Sequence, residues 1–231
     1  MRCALIWTVL SLALVLGCGR KEVPEQTETQ AGTKPDVADV LRKLATQQAT
    51  TQRADKRQYT DAIAIYKKYL ALDPNDAEVY LGLGKAYREL GQYVKAVAAH
   101  KKAITIEPDY AEAYYHMGLA YNNRKHYYEA MSAFKKYLAF EPNDAKAYLG
   151  LGIAYSGLKQ YTDAIAAFKK AIVINPDDAS AYHNMGLAYN QLEQYSDSLV
   201  AFKKYIALEP AGEHADFARA CIGEIEKMGK P

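Results

Sequence analysis

Apolar and polar positions along this chain follow a helical rhythm that proline interrupts at a fixed interval. Pro74, Pro108, Pro142, Pro176 and Pro210 stand thirty-four residues apart. Each closes a similar run: YKKYLALDP, HKKAITIEP, FKKYLAFEP, FKKAIVINP and FKKYIALEP. Two amphipathic stretches lie between successive prolines. In the unit that begins at Ala111 they read AEAYYHMGLAYNN and YYEAMSAFKKYLAF. Tyr114, Met117, Gly118 and Tyr121 recur at steps of three, four and seven, the spacing of one helix face. Ala130, Phe134 and Tyr137 do the same on the second stretch. The proline ends one helix, because it lacks an N–H and clashes with the preceding turn. Asn143 and Asp144 behind it offer a side-chain cap for the next. The pattern predicts an all-α chain of stacked helix pairs, with units at 77–110, 111–144, 145–178 and 179–212.

A coarser period is visible too. The units at Ala77 and Ala145 share YLGLG and KKAI, and those at Ala111 and Ala179 share MGLAYN and FKKY, so the full repeat is doubled. Side-chain size alternates with it. Where a second helix carries Tyr69, Tyr137 or Tyr205, the following helix carries Gly82, Gly150 or Ala218. Where it carries Ala103 or Ala171, the following helix carries His116 or Asn184. Packing at constant density predicts that each such pair meets between units. The ends differ from the middle. Over 37–76 only the second helix, Tyr59 to Leu72, matches. The stretch from Val37 to Ala54 has Thr50 and Arg53 where other units have glycine and tyrosine, and reads as an irregular N-terminal cap helix. Over 213–231, Ala218, Cys221, Ile222, Ile225 and Met228 form the apolar stripe of a C-terminal cap, which an array of stacked units needs over its open face.

These residues resemble the tetratricopeptide repeat (TPR). The aromatic positions are Tyr80, Tyr114, Tyr148 and Tyr182. The small crossing residues are Gly84, Gly118, Gly152 and Gly186, expected to face Ala96, Ala130, Ala164 and Ser198, where small side chains let helices approach. His100 departs from the pattern, standing where other units have Tyr66, Phe134, Phe168 and Phe202. The resemblance implies a right-handed α-solenoid whose first helices line a concave surface that grips peptides or other proteins. The matching positions here are Leu81, Lys85 and Arg88; Tyr115, His116, Leu119 and Asn122; Leu149, Ile153 and Ser156; and His183, Asn184, Leu187 and Asn190. An apolar lining with amide hydrogen-bonders suits an extended or helical protein segment. The carboxylate clamp of heat-shock co-chaperones is not carried over, because Leu81 and Leu149 occupy places where its lysine would stand.

The first eighteen residues carry a different signal. After Arg2 and Cys3, the run from Ala4 to Leu16 is apolar apart from Thr8 and Ser11. It is short for a membrane span, which needs about 20 apolar residues, and fits the core of an export signal. It ends in Val15-Leu16-Gly17-Cys18 and then turns polar, which resembles a bacterial lipoprotein signal. The resemblance implies removal of 1–17, lipid on the Cys18 thiol, and attachment to an envelope membrane. Gly19, which is not aspartate, points to the outer membrane, facing the periplasm. Residues 19–36 are polar, with Pro24, Gly32 and Pro35, and read as a tether with a reach on the order of 20–25 Å.

Charge changes the picture little. The formal net charge is +2, which gives no reason to expect a nucleic-acid partner. Cys221 has no cysteine near it in sequence, so no disulfide framework is expected. No phosphate-cradling glycine loop, HExxH or paired-cysteine spacing occurs, so neither an enzyme, a metal nor a cofactor is expected. The lysine pairs at 67–68, 101–102, 135–136, 169–170 and 203–204 fall on second helices and read as a solvated outer wall; their sharper reading is contact with anionic lipid or cell-wall polymer. The reading that follows is a membrane-anchored scaffold that binds a protein or peptide in its groove for envelope complex assembly. Outer-membrane lipoproteins of this architecture include some that guide the secretin pore of type IV pili. The alternative is a cell-wall or glycan-binding adaptor in which Tyr115 and the lysines meet glycan.

Overall fold

The structure is a computed structural model that describes residues 56–228. The export signal, Cys18, the tether and the cap helix expected before Ala54 lie outside the described residues. Those described form ten helices and no strand: α1 Lys56–Leu70, α2 Ala77–Glu89, α3 Tyr93–Ile106, α4 Ala111–Asn123, α5 Tyr127–Phe140, α6 Ala145–Gly157, α7 Tyr161–Ile174, α8 Ala179–Gln191, α9 Tyr195–Leu208 and α10 Ala215–Met228. Each helix packs on its neighbours in sequence, which makes a helical solenoid. None is long and apolar enough to cross a membrane.

Local chemistry sets both kinds of turn. Between units, aspartate caps the next helix. Asp76 and Asp144 accept the backbone N–H of Val79 and Ala147, each at 3.0 Å. Their other carboxylate oxygens accept the hydroxyls of Tyr69 and Tyr137 at 2.7 Å. A cap of this kind is worth about 1 kcal/mol, and the tyrosine ties it to the helix before. Asp178 caps Ala181 at 3.3 Å without a tyrosine, since Ala171 stands at that place. Within units, the turn is closed by a left-handed residue: Gly91, Lys125, Lys159 and Glu193, with φ of 70°, 59°, 60° and 59°. The next residue's N–H reaches back to the carbonyl of Tyr87, Tyr121, Tyr155 or Tyr189 at 2.8–3.0 Å. This is the Schellman arrangement that satisfies orphan carbonyls at a helix end. Three of the four positions accept a side chain where glycine is the usual choice.

The core is a column of rings. Phe134, Phe168, Phe202 and His100 are fully buried, and Tyr66 is nearly so. His100, Phe134, Phe168 and Phe202 each lie against the glycine expected at the helix crossing, so the ring one turn beyond Ala96, Ala130, Ala164 or Ser198 makes the close contact. A Cβ on Gly118 would stand 3.0 Å from the Phe134 ring, and one on Gly84, Gly152 or Gly186 would overlap His100, Phe168 or Phe202. At the fourth crossing the expected small residue also takes part: the Ser198 hydroxyl donates to the Gly186 carbonyl at 2.9 Å.

At two of the five junctions the nearest ring to the small residue is not the tyrosine of the size alternation, while Tyr205 and Ala218 share a cluster as expected. Gly82 lies against Tyr66, and Gly150 against Phe134, as their nearest side chains. Tyr69 and Tyr137 are turned toward the aspartate caps instead. Phe134 is thus held between Gly118 of its own unit and Gly150 of the next. Ala218 keeps the same role after Phe202, in a cluster that also holds Tyr205. On α10, Ala218 and Ile225 are buried while Cys221 is half-buried. Burial first, and Glu224 second, raise the Cys221 thiol pKa, which works against a reactive thiolate.

Candidate functional site

The first helices of successive units, α2, α4, α6 and α8, touch one another as well as their own second helices. They form the inner wall of the stack, and three clefts open along it. The first, about 280 Å³, is flanked by Tyr59, Tyr66, Tyr110, Lys85, Arg88 and Glu112. Two of its three carboxylates, Glu112 and Glu89, are held in ion pairs, and Glu78 is the third. Lys85 Nζ donates to Glu112 Oε1 at 2.5 Å, and Arg88 Nη2 to Glu89 Oε1 at 2.6 Å. Burial, then Glu112 and Glu78, push the Tyr110 hydroxyl up to about 12.

The central cleft is larger, about 640 Å³. Tyr115, Leu119, Leu149 and Ile153 give it an apolar floor, and Lys146, Asn175, Asp177, Asp178 and Glu209 give it a polar rim. The third, about 210 Å³, gathers His183, Asn184, Tyr205, Glu213 and His214 around Ser180 and Glu209. Ser180 and Glu209 belong to both, so the central and third clefts are continuous.

Several residues expected in the groove do other work. Leu81 is only 3 % exposed and packs with Ala77, Ala103 and Ala113. Leu187 packs against the cluster around Phe202. Asn122 donates its amide to the Gly150 carbonyl at 2.8 Å, which stitches two units together. Tyr115 presents one edge to the cleft but is wedged among Phe134, Tyr137 and His116, with ring centroids 5.2–5.9 Å away. Asn190 and Ser156 are half-buried and give their carbonyls to the turns that follow, accepting Glu193 and Lys159 N–H groups. The clefts therefore unite Leu81, Lys85 and Arg88, then Tyr115, Leu119, Asn122, Leu149 and Ile153, then His183 and Asn184, with Leu81, Tyr115 and Asn122 also serving the packing. The rim residues Asn175, Asp177 and Glu209 come from the ends of second helices and the loops after them. A search confined to first-helix positions passes over them, although their recurrence beside each proline was the available signal.

The paired lysines are largely tied down by the fold. Lys67, Lys101, Lys135 and Lys169 lie over the rings of Tyr87, Tyr121, Tyr155 and Tyr189 on the following first helix, 5.3–6.0 Å from the centroids. Lys170 and Lys204 cover Tyr148 and Tyr182 of their own units at 5.2 and 5.9 Å. Lys203 pairs with Glu226 at 2.8 Å. Such ring contacts contribute about 0.5–1 kcal/mol each at exposed sites, so the repeated lysines staple one unit to the next.

His116 is turned inward. Its ring stacks on His100 with centroids 5.9 Å apart, and neither nitrogen of His100 has a hydrogen-bond partner. Burial first lowers both imidazole pKa values from 6.5 to about 3, followed at His100 by His116, Arg88 and Lys85 and at His116 by Lys85 and Arg88. Both rings are neutral at pH 7, and the 3.4 Å approach of His116 to Glu112 is not an ion pair there.

The comparisons with known proteins agree with this architecture. Family models described as TPR repeat match residues 84–124 and 157–193. Others described as tetratricopeptide repeat match 53–99, 106–174 and 179–211. The chain belongs to the tetratricopeptide repeat family. A crystal structure of MamA is 30% identical, with 78% of this chain and 94% of that one covered and a TM-score of 0.67. MamA from Desulfovibrio magneticus RS-1 is 25% identical, covering 76% and 97%, with a TM-score of 0.70. YrrB, described as a TPR protein with an unusual peptide-binding site, is 22% identical, covering 79% and 88%, with a TM-score of 0.65. No curated protein sequence matches the chain.

A histidine whose folded pKa lies below its unfolded value lends stability above the unfolded pKa and loses it as pH falls. The His100–His116 pair is therefore expected to weaken the fold as pH drops below about 6.5, by up to about 1.4 kcal/mol per pH unit for each ring. His100→Phe, which restores the ring found in three other units, should raise stability at pH 7 by about 1–3 kcal/mol and flatten that acid limb. Urea unfolding at pH 5 and 7 checks both; equal slopes with pH in the two proteins would contradict the account.

Proposed function

We propose that this protein is a lipid-anchored scaffold that holds a protein or peptide segment in the groove of its first helices and so places that partner at an envelope membrane. The observation that carries the reading is the central cleft. An apolar floor of Leu119, Leu149 and Ile153 lies open beside a polar rim on which Asp177 and Glu209 have no ion pair among the described residues, while in the first cleft Lys85 and Arg88 are engaged by Glu112 and Glu89. The floor supplies the burial that anchors a side chain, worth about 1.5–3 kcal/mol for one Leu-sized group. The rim supplies orientation. YrrB, which shares the fold, is described as having an unusual peptide-binding site, which is compatible with a peptide partner here. Attachment through lipid on Cys18, an outer-membrane location and a role in assembling an envelope complex, of secretin or pilus type, belong to this proposal and rest on the sequence around Cys18.

The reading as a glycan adaptor has less support. It needs Tyr115 as a stacking platform and the lysines as a free basic face, and both are engaged within the fold.

Crosslinked capture from envelopes tests the groove. A defined partner is expected with the native chain, and recovery about tenfold lower with Ile153→Glu, whose side chain is half-exposed in the cleft. Unchanged recovery would remove the groove as the site, and retention on purified cell wall that salt abolishes would favour the glycan reading. The anchor has its own check. Labelled palmitate should enter the native chain and not Cys18→Ala; equal labelling would exclude Cys18 as the acceptor.

A further inference from the structure

Charge is distributed unevenly along the groove. In the first cleft, Glu112 and Glu89 are matched by Lys85 and Arg88. In the continuous central and third clefts, four carboxylates face the ligand space: Asp177, Asp178, Glu209 and Glu213. Asp178 uses one oxygen to cap Ala181. Among the described residues, no ion pair engages Asp177, Glu209 or Glu213. Lys146 is the one lysine or arginine in the lining. Arg219 on α10 is committed to Asp216 at 3.0 Å and to the Pro210 carbonyl. Lys203 and Lys204 are held by Glu226 and Tyr182.

A second observation lies at the same end. His183 is only 7 % exposed, lines the third cleft, and its Nε2 has no hydrogen-bond partner. Its ring stacks on His214 with centroids 4.4 Å apart. Burial, and then His214, lower its pKa to about 4, so it adds no positive charge at pH 7. The groove thus continues from an apolar floor into an end with carboxylates and an unpartnered imidazole. Charge complementarity across such a surface selects partners by sign.

We propose that the C-terminal half of the groove selects a basic segment of its partner, with an apolar side chain seated on Leu119, Leu149 and Ile153 and a lysine or arginine directed to Asp177, Glu209 and Glu213. This rests on the reading of the groove as the binding surface, and it deepens that reading by fixing the sign of the ligand. The first cleft, where Lys85 and Arg88 already pair two of the three carboxylates, selects less by sign.

The test uses the full mature chain and three fluorescein-labelled peptides of one short template. All carry the same leucines, and the positions between them are lysine, glutamate or glutamine. Anisotropy titrations are expected to show the lysine peptide bound about tenfold more tightly than the glutamate peptide, with the difference shrinking as salt rises. The double variant Asp177→Asn, Glu209→Gln should erase that preference, whereas Lys85→Ala in the first cleft should not. Equal binding of the glutamine and lysine peptides, unaffected by the double variant, would overturn the charge selection and leave the groove reading standing. Preference for the glutamate peptide would overturn it by sign. Binding of none of the three overturns it as well, and the groove reading falls with it only if Ile153→Glu also leaves partner capture unchanged.

Discussion

The contact on which the rest of this structure depends is a ring laid flat on a glycine. At the middle of each second helix stands Tyr66, His100, Phe134, Phe168 or Phe202, and each fills the space that a Cβ would need on a facing first helix. A buried phenylalanine contributes about 1.5–3 kcal/mol through burial alone, but its position has a further effect. Phe134 reaches Gly118 in its own unit and Gly150 in the next. One ring therefore sets the crossing within a pair and the spacing between pairs. The doubled repeat does not follow from the ring alone, since Phe134 precedes Gly150 whereas Phe168 precedes Asn184. After Tyr66, Phe134 and Phe202 the next first helix carries Gly82, Gly150 or Ala218; after His100 and Phe168 it carries the polar His116 or Asn184.

The groove is a consequence of that column. With the rings drawing second helices onto first helices, the first helices also meet one another and line the inner wall. Their outward positions, Leu119, Leu149 and Ile153, pack against the clusters that hold Phe134 and Phe168 yet remain partly open to the cleft. The outer wall is finished by lysines laid over tyrosines, which explains a repeated basic pair without any external ligand. Among the described residues, the cleft carboxylates that no ion pair engages include Asp177, Glu209 and Glu213 at the C-terminal half of the inner wall, where the buried Nε2 of His183 also lacks a hydrogen-bond partner.

Much of this architecture was legible in the sequence, for physical reasons. Proline spacing, the glycines at helix crossings and the capping aspartates Asp76, Asp144 and Asp178 all report short-range rules. They located the paired helices and the caps. The contacts of long side chains were not legible in the same way. Tyr69 and Tyr137 were matched with Gly82 and Gly150 on size alone, whereas their hydroxyls seek the cap carboxylates and leave the glycines to Tyr66 and Phe134. Leu81 and His116 occupy groove register yet are drawn into packing, because α3 brings Ala103 and His100 beside them. The acidic rim escaped notice since Asp177 and Glu209 lie in loops that fold back over the clefts. Lys125, Lys159 and Glu193 hid the left-handed turns that only Gly91 announced.

The central claim is that one ring couples two units through two glycines, and a double-mutant cycle on stability addresses it most directly. Gly150→Ala adds a methyl that overlaps the Phe134 ring, and should cost about 1–3 kcal/mol. In a Phe134→Leu background the same change should cost at least about 1 kcal/mol less, because the smaller side chain leaves room for it. A cost for Gly150→Ala that is the same in both backgrounds would contradict the account and place the spacing of the units elsewhere in the interface.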